Sequence, residues 1–497
     1  MSLPQELDAI RRQIRAIAQD YGLGFFQTIF EVLDYKEINQ VAAYGGYPTR
    51  YPHWRFGMEY EQLTKSYSYG LHKIYEMVIN NDPAYAYLLE GNSLMDQKLV
   101  MAHVYAHVDF FKNNISFAPT NRKMMDRMAN HATRIRRYID THGLEMVERF
   151  IDTCHSLENL IDIHAPFIAR GPAEEPPGDD PPPEIRRIAS KEYMNRYINP
   201  PRYLEARRAK LAAERSRTKH RFPAEPVRDV LAFLIRHAPL EAWQQDVLSI
   251  IREEAHYFAP QAQTKIMNEG WATYWHAKIM TEKVLDDSEI IDFADHHSRT
   301  MGGQGGRVNP YKLGYELYKD IEDRWNKGRF GREYEACDDM AARAAWDRGL
   351  EKGREKLFEV RRLYTDVTFL DTFLTEEFCH RQKMFLYGYN PKTGHYHIQS
   401  RKFAPIKEAF LAQLTNMGQP LIEVADANHK NRGELFLVHR HQGIDLKLDD
   451  ARATLAALGQ VWKRPVHLHT VVDGKKKVLS YDGTDHQEEE DTEDQEK

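Results

Sequence analysis

The spacing of apolar residues changes once along this chain, near residue 383, and this change predicts two domains of different fold class. Before it, apolar residues recur every three or four positions, which is typical of amphipathic helices packed on a core. This helical spacing is found at 22–35, 61–80, 94–112, 121–140, 144–163, 227–285 and 311–380. We therefore predict a mainly α protein whose large helical N-terminal domain covers residues 1–382.

Beyond residue 383, apolar and polar residues alternate, which is the pattern of β-strands with one buried face. The predicted strands are 384–390, 395–400, 421–426, 434–440, 466–472 and 477–481. Helical spacing returns between them, at 402–416 and 449–463. The pattern predicts a smaller α+β C-terminal domain over residues 383–484. The remaining residues, 485–497, are almost all acidic or Gln, and we predict a disordered acidic tail.

Residues 170–221 interrupt the helical domain with a change of composition. The segment 171–185 is rich in proline and acid and predicts an exposed linker or loop. The segment 186–221 is strongly basic and contains three tyrosines, a composition that is also found in nucleic-acid-binding proteins. We interpret it as a solvated face, because no phosphate-binding motif accompanies it and the chain carries a formal net charge of −6.

Cysteine usage and the N-terminus bear on the compartment. The three cysteines are widely spaced, which excludes a disulfide scaffold and a cysteine-ligated zinc site. No apolar run approaches the ~20 residues that a membrane-spanning helix needs. The first residues have a helix-start pattern rather than that of a signal peptide, so we expect a cytoplasmic protein without a membrane span.

Two histidines in the predicted helix 94–112 are candidate metal ligands. His103 and His107 are four residues apart, so both side chains project from one helical face, as in zinc-binding helices. The zincin motif H-E-x-x-H would also place a glutamate at position 104, where this chain has Val104. An alternative remains open, in which the histidines are core residues hydrogen-bonded to carboxylates or backbone.

A second polar cluster lies in the helical segment around Glu269. Gly270 follows this glutamate, so a neighbouring helix can approach closely, and the aromatic residues after it would exclude water. A helix with a histidine pair and a separate helix with Glu-Gly-Trp is the arrangement of gluzincin metallopeptidases, whose glutamate is the third zinc ligand. We predict one divalent metal, zinc by preference, on the two histidines and Glu269. His276, two turns further on, and Asp109 are predicted to hydrogen-bond the ligands.

The missing glutamate at position 104 leaves the general base to another residue. Glu61, Glu253 and Glu254 are the candidates, because each lies in a helical segment rich in aromatic residues. A core glutamate satisfied by arginine or tyrosine hydroxyls is the structural alternative for Glu269. A further alternative is a di-iron site on two E-x-x-H pairs, Glu253 with His256 and Glu377 with His380.

Four segments together resemble the stage V sporulation protein R (SpoVR) family. They are Ala102–Ile115, Lys265–Ala277, Asn309–Gly314 and Thr372–Cys379, and the sequence NEGWATYWH within the second is highly specific. The resemblance extends over almost the whole chain, and residues 170–221 look like a variable insertion in it. It implies a cytoplasmic bacterial protein, linked in spore formers to the spore cortex.

The resemblance also implies partners. Members of the family are often encoded beside a PrkA-type serine kinase and a von Willebrand A-like protein. The family has no established reaction, so it assigns no catalytic residues. Two hypotheses therefore stand: a regulatory protein that works with a kinase system through its C-terminal module, or a gluzincin-like hydrolase of peptide or amide bonds. Clustered histidines and carboxylates favour the second, and Val104 favours the first.

Overall fold

The structure is a computed structural model that describes residues 3–68, 76–168, 194–218, 221–302, 308–390 and 393–491. Two compact units make up the chain. The helical unit consists of Met1–Val147 and His256–Gln419, and the sheet unit consists of Glu148–Ala255 and Pro420–Lys497. The linker predicted at 171–185 lies outside the described residues.

Helices dominate the described chain, which confirms the mainly α fold class with a smaller α+β part near the C-terminus. The helices are α1 Gln5–Asp20, α2 Tyr35–Ala43, α3 Trp54–Ser68, α4 Leu94–Asn113, α5 Met124–His142, α6 Leu144–His155, α7 Asn195–Ile198, α8 Pro201–Thr218, α9 Val230–His237, α10 Ala242–Gln263, α11 Lys265–Ile279, α12 Ile290–Met301, α13 Pro310–Lys327, α14 Arg332–Glu335, α15 Met340–Ala344, α16 Gly353–Leu363, α17 Asp366–Phe373, α18 Glu376–Arg381, α19 Phe403–Leu414 and α20 Leu448–Trp462. The strands are β1 Thr28–Leu33, β2 Glu76–Ile79, β3 Ala84–Leu89, β4 Leu386–Asn390, β5 His395–Ser400, β6 Ile422–His429, β7 Glu434–His439, β8 Val466–Val472, β9 Lys475–Tyr481 and β10 His486–Glu490.

The helical unit contains a small sheet where we had predicted helices. Its strand order is β1-β3-β2, with β1 parallel and β2 antiparallel to β3. The predicted helical segments 22–35 and 61–80 are therefore wrong over β1 and β2. Short apolar runs fit the helical and the strand period equally well. Pairing with β3 decides between them, and for β1 the paired residues are 56 positions apart in the sequence, as Thr28 and Ala84 are.

Helices α4 and α11 form the centre of the helical unit. Almost every residue of both is buried, polar ones included, so neither has the polar outer face of a surface helix. The first turn of α11 is held by Asp366, whose carboxylate accepts hydrogen bonds from the backbone N–H groups of Ile266 and Met267, each at 2.8 Å. These two hydrogen bonds satisfy N–H groups that have no partner within the helix. They also fix the position of α11 along its own axis.

The sheet unit is built on five strands in the order β10-β9-β8-β7-β6. Strands β7 and β8 are parallel and are joined through α20, and the other pairs are antiparallel. Helix α9 contacts β6, and its Phe233 stacks on Trp462 of α20 with ring centroids 6.1 Å apart. Helix α9 thus adds apolar cover to this sheet beside that of α20.

The units of the structure are divided at a different position from the predicted domains. Among the described residues, the hairpin of β4 and β5 forms a two-stranded sheet of its own, and with α19 it belongs to the helical unit, whose last residue is Gln419. The predicted acidic tail is wrong over β10. There the acidic side chains face basic ones on neighbouring elements, with Glu490 paired to Lys475 and Glu488 to Lys477. Residues 492–497 lie outside the described chain.

None of the helices that the structure describes combines the length and the apolar composition that a bilayer crossing requires.

Candidate metal centre

The centre of the helical unit brings together the three predicted metal ligands. His103 and His107 lie one turn apart on α4 and face α11, and both side chains are buried. Their Nε2 atoms lie 3.7 Å and 3.5 Å from Oε2 of Glu269 on α11. Two imidazoles from α4 and a carboxylate from α11 therefore converge on one point in the core.

A fourth group, Glu76, comes from the first residue of β2. Its Oε1 lies 3.4 Å from Nε2 of His103, and donor atoms of Glu76, His103 and His107 all lie within 4.8 Å of one another. Reasoning from the sequence missed this residue because it assigned 61–80 to a helix. The available signal was a lone charge at the start of the apolar run Met77–Ile79, which is typical of a strand end that faces a polar site.

The distances fit a metal ion better than a set of direct hydrogen bonds. Ligand atoms ~2.0–2.1 Å from a tetrahedral zinc ion lie about 3.3 Å from each other, and the separations of 3.4–3.7 Å here are close to that spacing. Oε2 of Glu269 and Oε2 of Glu76 are buried and accept no hydrogen bond from any described residue. Buried carboxylate oxygens without a partner are costly, and a bound cation would remove that cost.

The other nitrogen of each histidine is held in place. Nδ1 of His107 lies 2.9 Å from Oδ1 of Asn268, which can only accept, so this nitrogen carries the proton and Nε2 presents its lone pair. Nδ1 of His103 lies 2.7 Å from Nδ1 of His276. Burial, and then the neighbouring histidines, hold the pKa of His276 well below its usual range, so this ring is neutral and can accept from His103. Such contacts orient metal-binding imidazoles.

The two carboxylates differ in their electrostatics. Burial raises the pKa of Glu269, but the facing histidines and Lys265 outweigh it and hold that pKa well below its ordinary value. The Lys265 Nζ donates to Oε1 of Glu269 at 2.6 Å, which leaves Oε2 for the histidines. Burial is also the largest influence on Glu76, and there it prevails over the nearby histidines and raises the pKa. Glu269 is thus the anionic member of the pair, and Glu76 is the better proton acceptor.

Helix α13 closes the centre on a further side. Gly270 of α11 and Gly314 of α13 are in backbone contact: a Cβ built on Gly270 would lie 2.4 Å from the Cα of Gly314. One turn before Gly314, the ring of Tyr311 stacks against that of His103, with centroids 6.4 Å apart and an interplanar angle of 24°. The close approach that Gly270 permits therefore carries an aromatic residue to the site.

Asp109 and His276, both predicted to hydrogen-bond the ligands, are placed differently. His276 contacts His103 as described above. Asp109 lies on another face of α4, where its carboxylate accepts from the Gly24 backbone N–H at 2.7 Å and from Trp271 Nε1 at 3.0 Å. These bonds tie α4 to α11 and to the loop after α1. Asp109 therefore contributes to helix packing and not to the orientation of a histidine.

Among the described residues, the group of possible metal ligands consists of Glu76, His103 and His107, and it includes none of the three predicted candidates for a general base. Glu61 is 67% exposed on α3 and pairs with Lys65. Glu253 and Glu254 belong to the sheet unit, whereas the centre belongs to the helical unit. In the second E-x-x-H pair, Glu377 and His380 are exposed by 68% and 57%, so the surroundings are not those of a buried di-iron site.

Comparison with known proteins gives a family. The sequence model described as "SpoVR like protein" matches residues 2–419, and that of the "SpoVR-like C-terminal domain" matches 420–473, so the two meet where the structure divides its units. A relative in Escherichia coli (strain K12), "Uncharacterized protein YcgB", is 32% identical over 337 residues. This alignment covers 64% of the chain and 63% of the relative. No solved structure matches the chain.

Proposed function

The chain belongs to the SpoVR family, and we propose that its helical unit is a metal-dependent hydrolase of peptide or amide bonds. The observation that carries this proposal is the convergence of both Nε2 atoms of the α4 histidines on Oε2 of Glu269, at 3.5 Å and 3.7 Å. Two histidines and one carboxylate are the protein ligands of several zinc peptidases, and they leave one position for water or substrate.

The roles of the residues follow from their surroundings. His103, His107 and Glu269 would hold the ion, because their free donor atoms face one point and their other polar atoms are already bonded. Glu76 would act as the general base, because it faces the same point from β2, with its Oε1 3.4 Å from Nε2 of His103. In H-E-x-x-H sites the base is the glutamate that follows the first histidine, and this chain has Val104 at that position. Glu76 would supply the carboxylate from a strand instead.

The chemistry is hydrolysis with one water. A divalent ion in this site would polarise the substrate carbonyl and make a bound water more acidic. Glu76 takes a proton as the water oxygen bonds to the carbonyl carbon, and it returns that proton to the leaving nitrogen as the C–N bond breaks. His103 and His107, and after them Lys265, whose side chain is 58% exposed, favour the anionic form of Glu269.

Elemental analysis of the full-length protein tests this proposal. We expect about one zinc per chain in the wild type, and loss of that zinc in a His103→Ala/His107→Ala variant. His131, a buried histidine on α5, offers a matched control: His131→Ala removes a core imidazole and should leave the zinc content unchanged. Comparable, sub-stoichiometric metal in all three proteins would refute the proposal.

Glu76→Gln separates a base from a ligand. If Glu76 is the base, the variant keeps its zinc and loses hydrolysis of a peptide mixture by ~10²–10⁴-fold. Zinc loss on the same scale as in Glu269→Gln would instead place Glu76 among the ligands.

A second role, in partner binding, is favoured by the hairpin of β4 and β5. It exposes Tyr389 and Tyr396 by 56% and 71%, and Tyr387 and Ile398 are also exposed. Beside it lies a cavity of about 700 Å³ formed with α13 and α19. Clustered exposed aromatic residues are typical of protein interfaces. We propose the PrkA-type serine kinase as the partner, with the von Willebrand A-like protein as a further candidate.

Pull-down with the full-length chain tests this second role, because residues 383–485 do not form a unit of their own. Tyr389→Ser/Tyr396→Ser should reduce kinase capture, whereas Tyr197→Ser, at a tyrosine that is 85% exposed elsewhere, should not. Equal capture by all variants would exclude the hairpin as the kinase-binding surface.

A further inference from the structure

Tyr311 is placed to interact with whatever occupies the candidate metal centre. Its half-buried ring stacks on that of His103, with centroids 6.4 Å apart, and the carboxylates of Glu269 and Glu76 are near enough to raise the pKa of its hydroxyl. Its neighbours therefore include groups on α4, α11 and β2. None of the predicted ligand and base residues lies on α13. Tyr311 therefore offers a hydrogen-bond donor on a side of the site where the histidines and carboxylates offer none.

The position of Tyr311 is fixed by local structure. It is the second residue of α13, after Pro310, and the Asn309 side chain accepts from the Lys312 backbone N–H at 3.3 Å. The amide of Asn309 also donates to the backbone oxygens of Thr300 and Gly302, at 2.7 Å and 2.8 Å. One turn later, the contact of Gly314 with α11 sets the distance between the helices. The backbone before and after Tyr311 is thus held in place, which limits the positions that its side chain can reach.

We propose that Tyr311 is a catalytic residue whose hydroxyl donates a hydrogen bond to the carbonyl oxygen of the scissile amide as that oxygen becomes an oxyanion. This inference rests on the proposed hydrolase function. It assigns the substrate oxygen to the α13 side of the centre and the attacking water to the side of Glu76. No covalent bond to Tyr311 forms or breaks. The phenol keeps its proton and donates a hydrogen bond to the developing negative charge.

Electrostatics agree with this role for a donor. A phenol is protonated at neutral pH, and burial together with the charges of Glu269 and Glu76 raises the pKa of Tyr311 further. The same carboxylates repel an unaccompanied anion, so an oxyanion would be stabilised there only by the ion and by an aimed donor. A donor of this kind typically contributes about 10²–10³-fold to kcat.

Acetohydroxamate, a small metal-binding mimic of the oxyanion, provides a test that needs no substrate. The full-length wild type, Tyr311→Phe and the control Tyr315→Phe are loaded with zinc, assayed for zinc content and titrated with the hydroxamate by calorimetry. Tyr315 lies one turn further on α13, and its ring packs 5.4 Å from that of His297. We expect equal zinc in all three proteins and hydroxamate binding weakened about 10- to 100-fold in Tyr311→Phe alone.

Each other outcome has a distinct meaning. Equal hydroxamate affinity in Tyr311→Phe and the wild type, or no hydroxamate binding by the zinc-loaded wild type, overturns the role of Tyr311 and leaves the metal site standing. Loss of zinc from Tyr311→Phe also overturns it, since the phenol would then hold the ion. A wild type that takes up no zinc refutes the proposed function itself.

Discussion

Replacement of Gly314 by alanine tests the helix contact on which the geometry of the centre depends. In the native packing, a Cβ at this position would lie 2.2 Å from the backbone oxygen of Ile266 and 2.7 Å from the Cα of Gly270. Ordinary van der Waals contacts of a Cβ lie at 3.4–4 Å. Both clashing atoms are backbone, so no side chain can rotate away, and α13 must move more than about 1 Å from α11.

The magnitude follows from two opposing terms. Overpacking of a core costs about 1–3 kcal/mol, and a clash with backbone belongs at the upper end of that range. Alanine in place of glycine in a helix returns about 1 kcal/mol. We therefore expect Gly314→Ala to lower the stability of the helical unit by about 2 kcal/mol, which for a unit formed by Met1–Val147 and His256–Gln419 corresponds to a fall of roughly 3 °C in Tm.

Thermal unfolding followed by circular dichroism measures this effect, with Gly57→Ala as the matched control. Gly57 lies inside α3, and a Cβ there would meet none of the described atoms within 4 Å. The same substitution at Gly57 should therefore raise stability by about 0.5–1 kcal/mol. If Gly314→Ala melts at or above the wild-type temperature, the close contact of α11 and α13 is wrong, and with it the placement of Tyr311.

Three further predictions concern the centre and the cysteines. Asn268→Leu removes the acceptor for Nδ1 of His107 and should weaken zinc binding about 10- to 100-fold in a chelator competition; an unchanged affinity would contradict the orienting role of Asn268. Although burial opposes it, the neighbouring carboxylates raise the pKa of His107 above 6.5, and zinc needs the neutral ring. Zinc affinity should therefore fall as the pH drops through that raised pKa, with protons released on binding in calorimetry; pH-independent binding between pH 6 and 8 would contradict this. Ellman's reagent at pH 8 should react with Cys337 alone in the native protein, because Cys154 and Cys379 are buried and burial raises their thiol pKa values, that of Cys379 to about 11; three thiols that react at equal rates before denaturation would contradict this burial.

Some of this arrangement was readable from the sequence because it depends on local spacing. His103 and His107 share a helical face in any tertiary fold in which α4 is helical. The glycine after Glu269 indicates that another helix can approach closely. The same holds for the strands of the sheet unit, where alternation over 434–440 and 466–472 predicts β7 and β8 to within a residue. Local periodicity survives in these elements because packing reinforces it.

Other parts depend on pairings that local pattern does not encode. Strand β2 is only four residues long, and β3 fixes its register through the pairing of Glu76 with Leu88. Strand β10 has the composition of a disordered tail but pairs with β9, and its Glu490 and Glu488 form ion pairs with Lys475 and Lys477. The division of the sheet unit into two distant segments likewise has no local signal. Each of these features is stabilised by a partner remote in sequence or by an adjacent strand of opposite charge.

The absence of a glutamate at position 104 has a structural counterpart in β2. In an H-E-x-x-H helix the base and two ligands share one helix, so the helix must leave a polar face open to the site. Here α4 is buried on all sides, and Val104 is fully buried in the apolar core. On the helix, position 104 is turned about 100° from His103 and about 60° from His107, and a carboxylate there would be buried in that core at a desolvation cost of several kcal/mol. In this chain we therefore expect the base to come from a neighbouring element that begins at the site. Glu76, the first residue of an edge strand in the order β1-β3-β2, meets this requirement. Accordingly, Val104→Glu should destabilise the protein without restoring hydrolysis to Glu76→Gln, and a rescued activity in that double variant would refute this account.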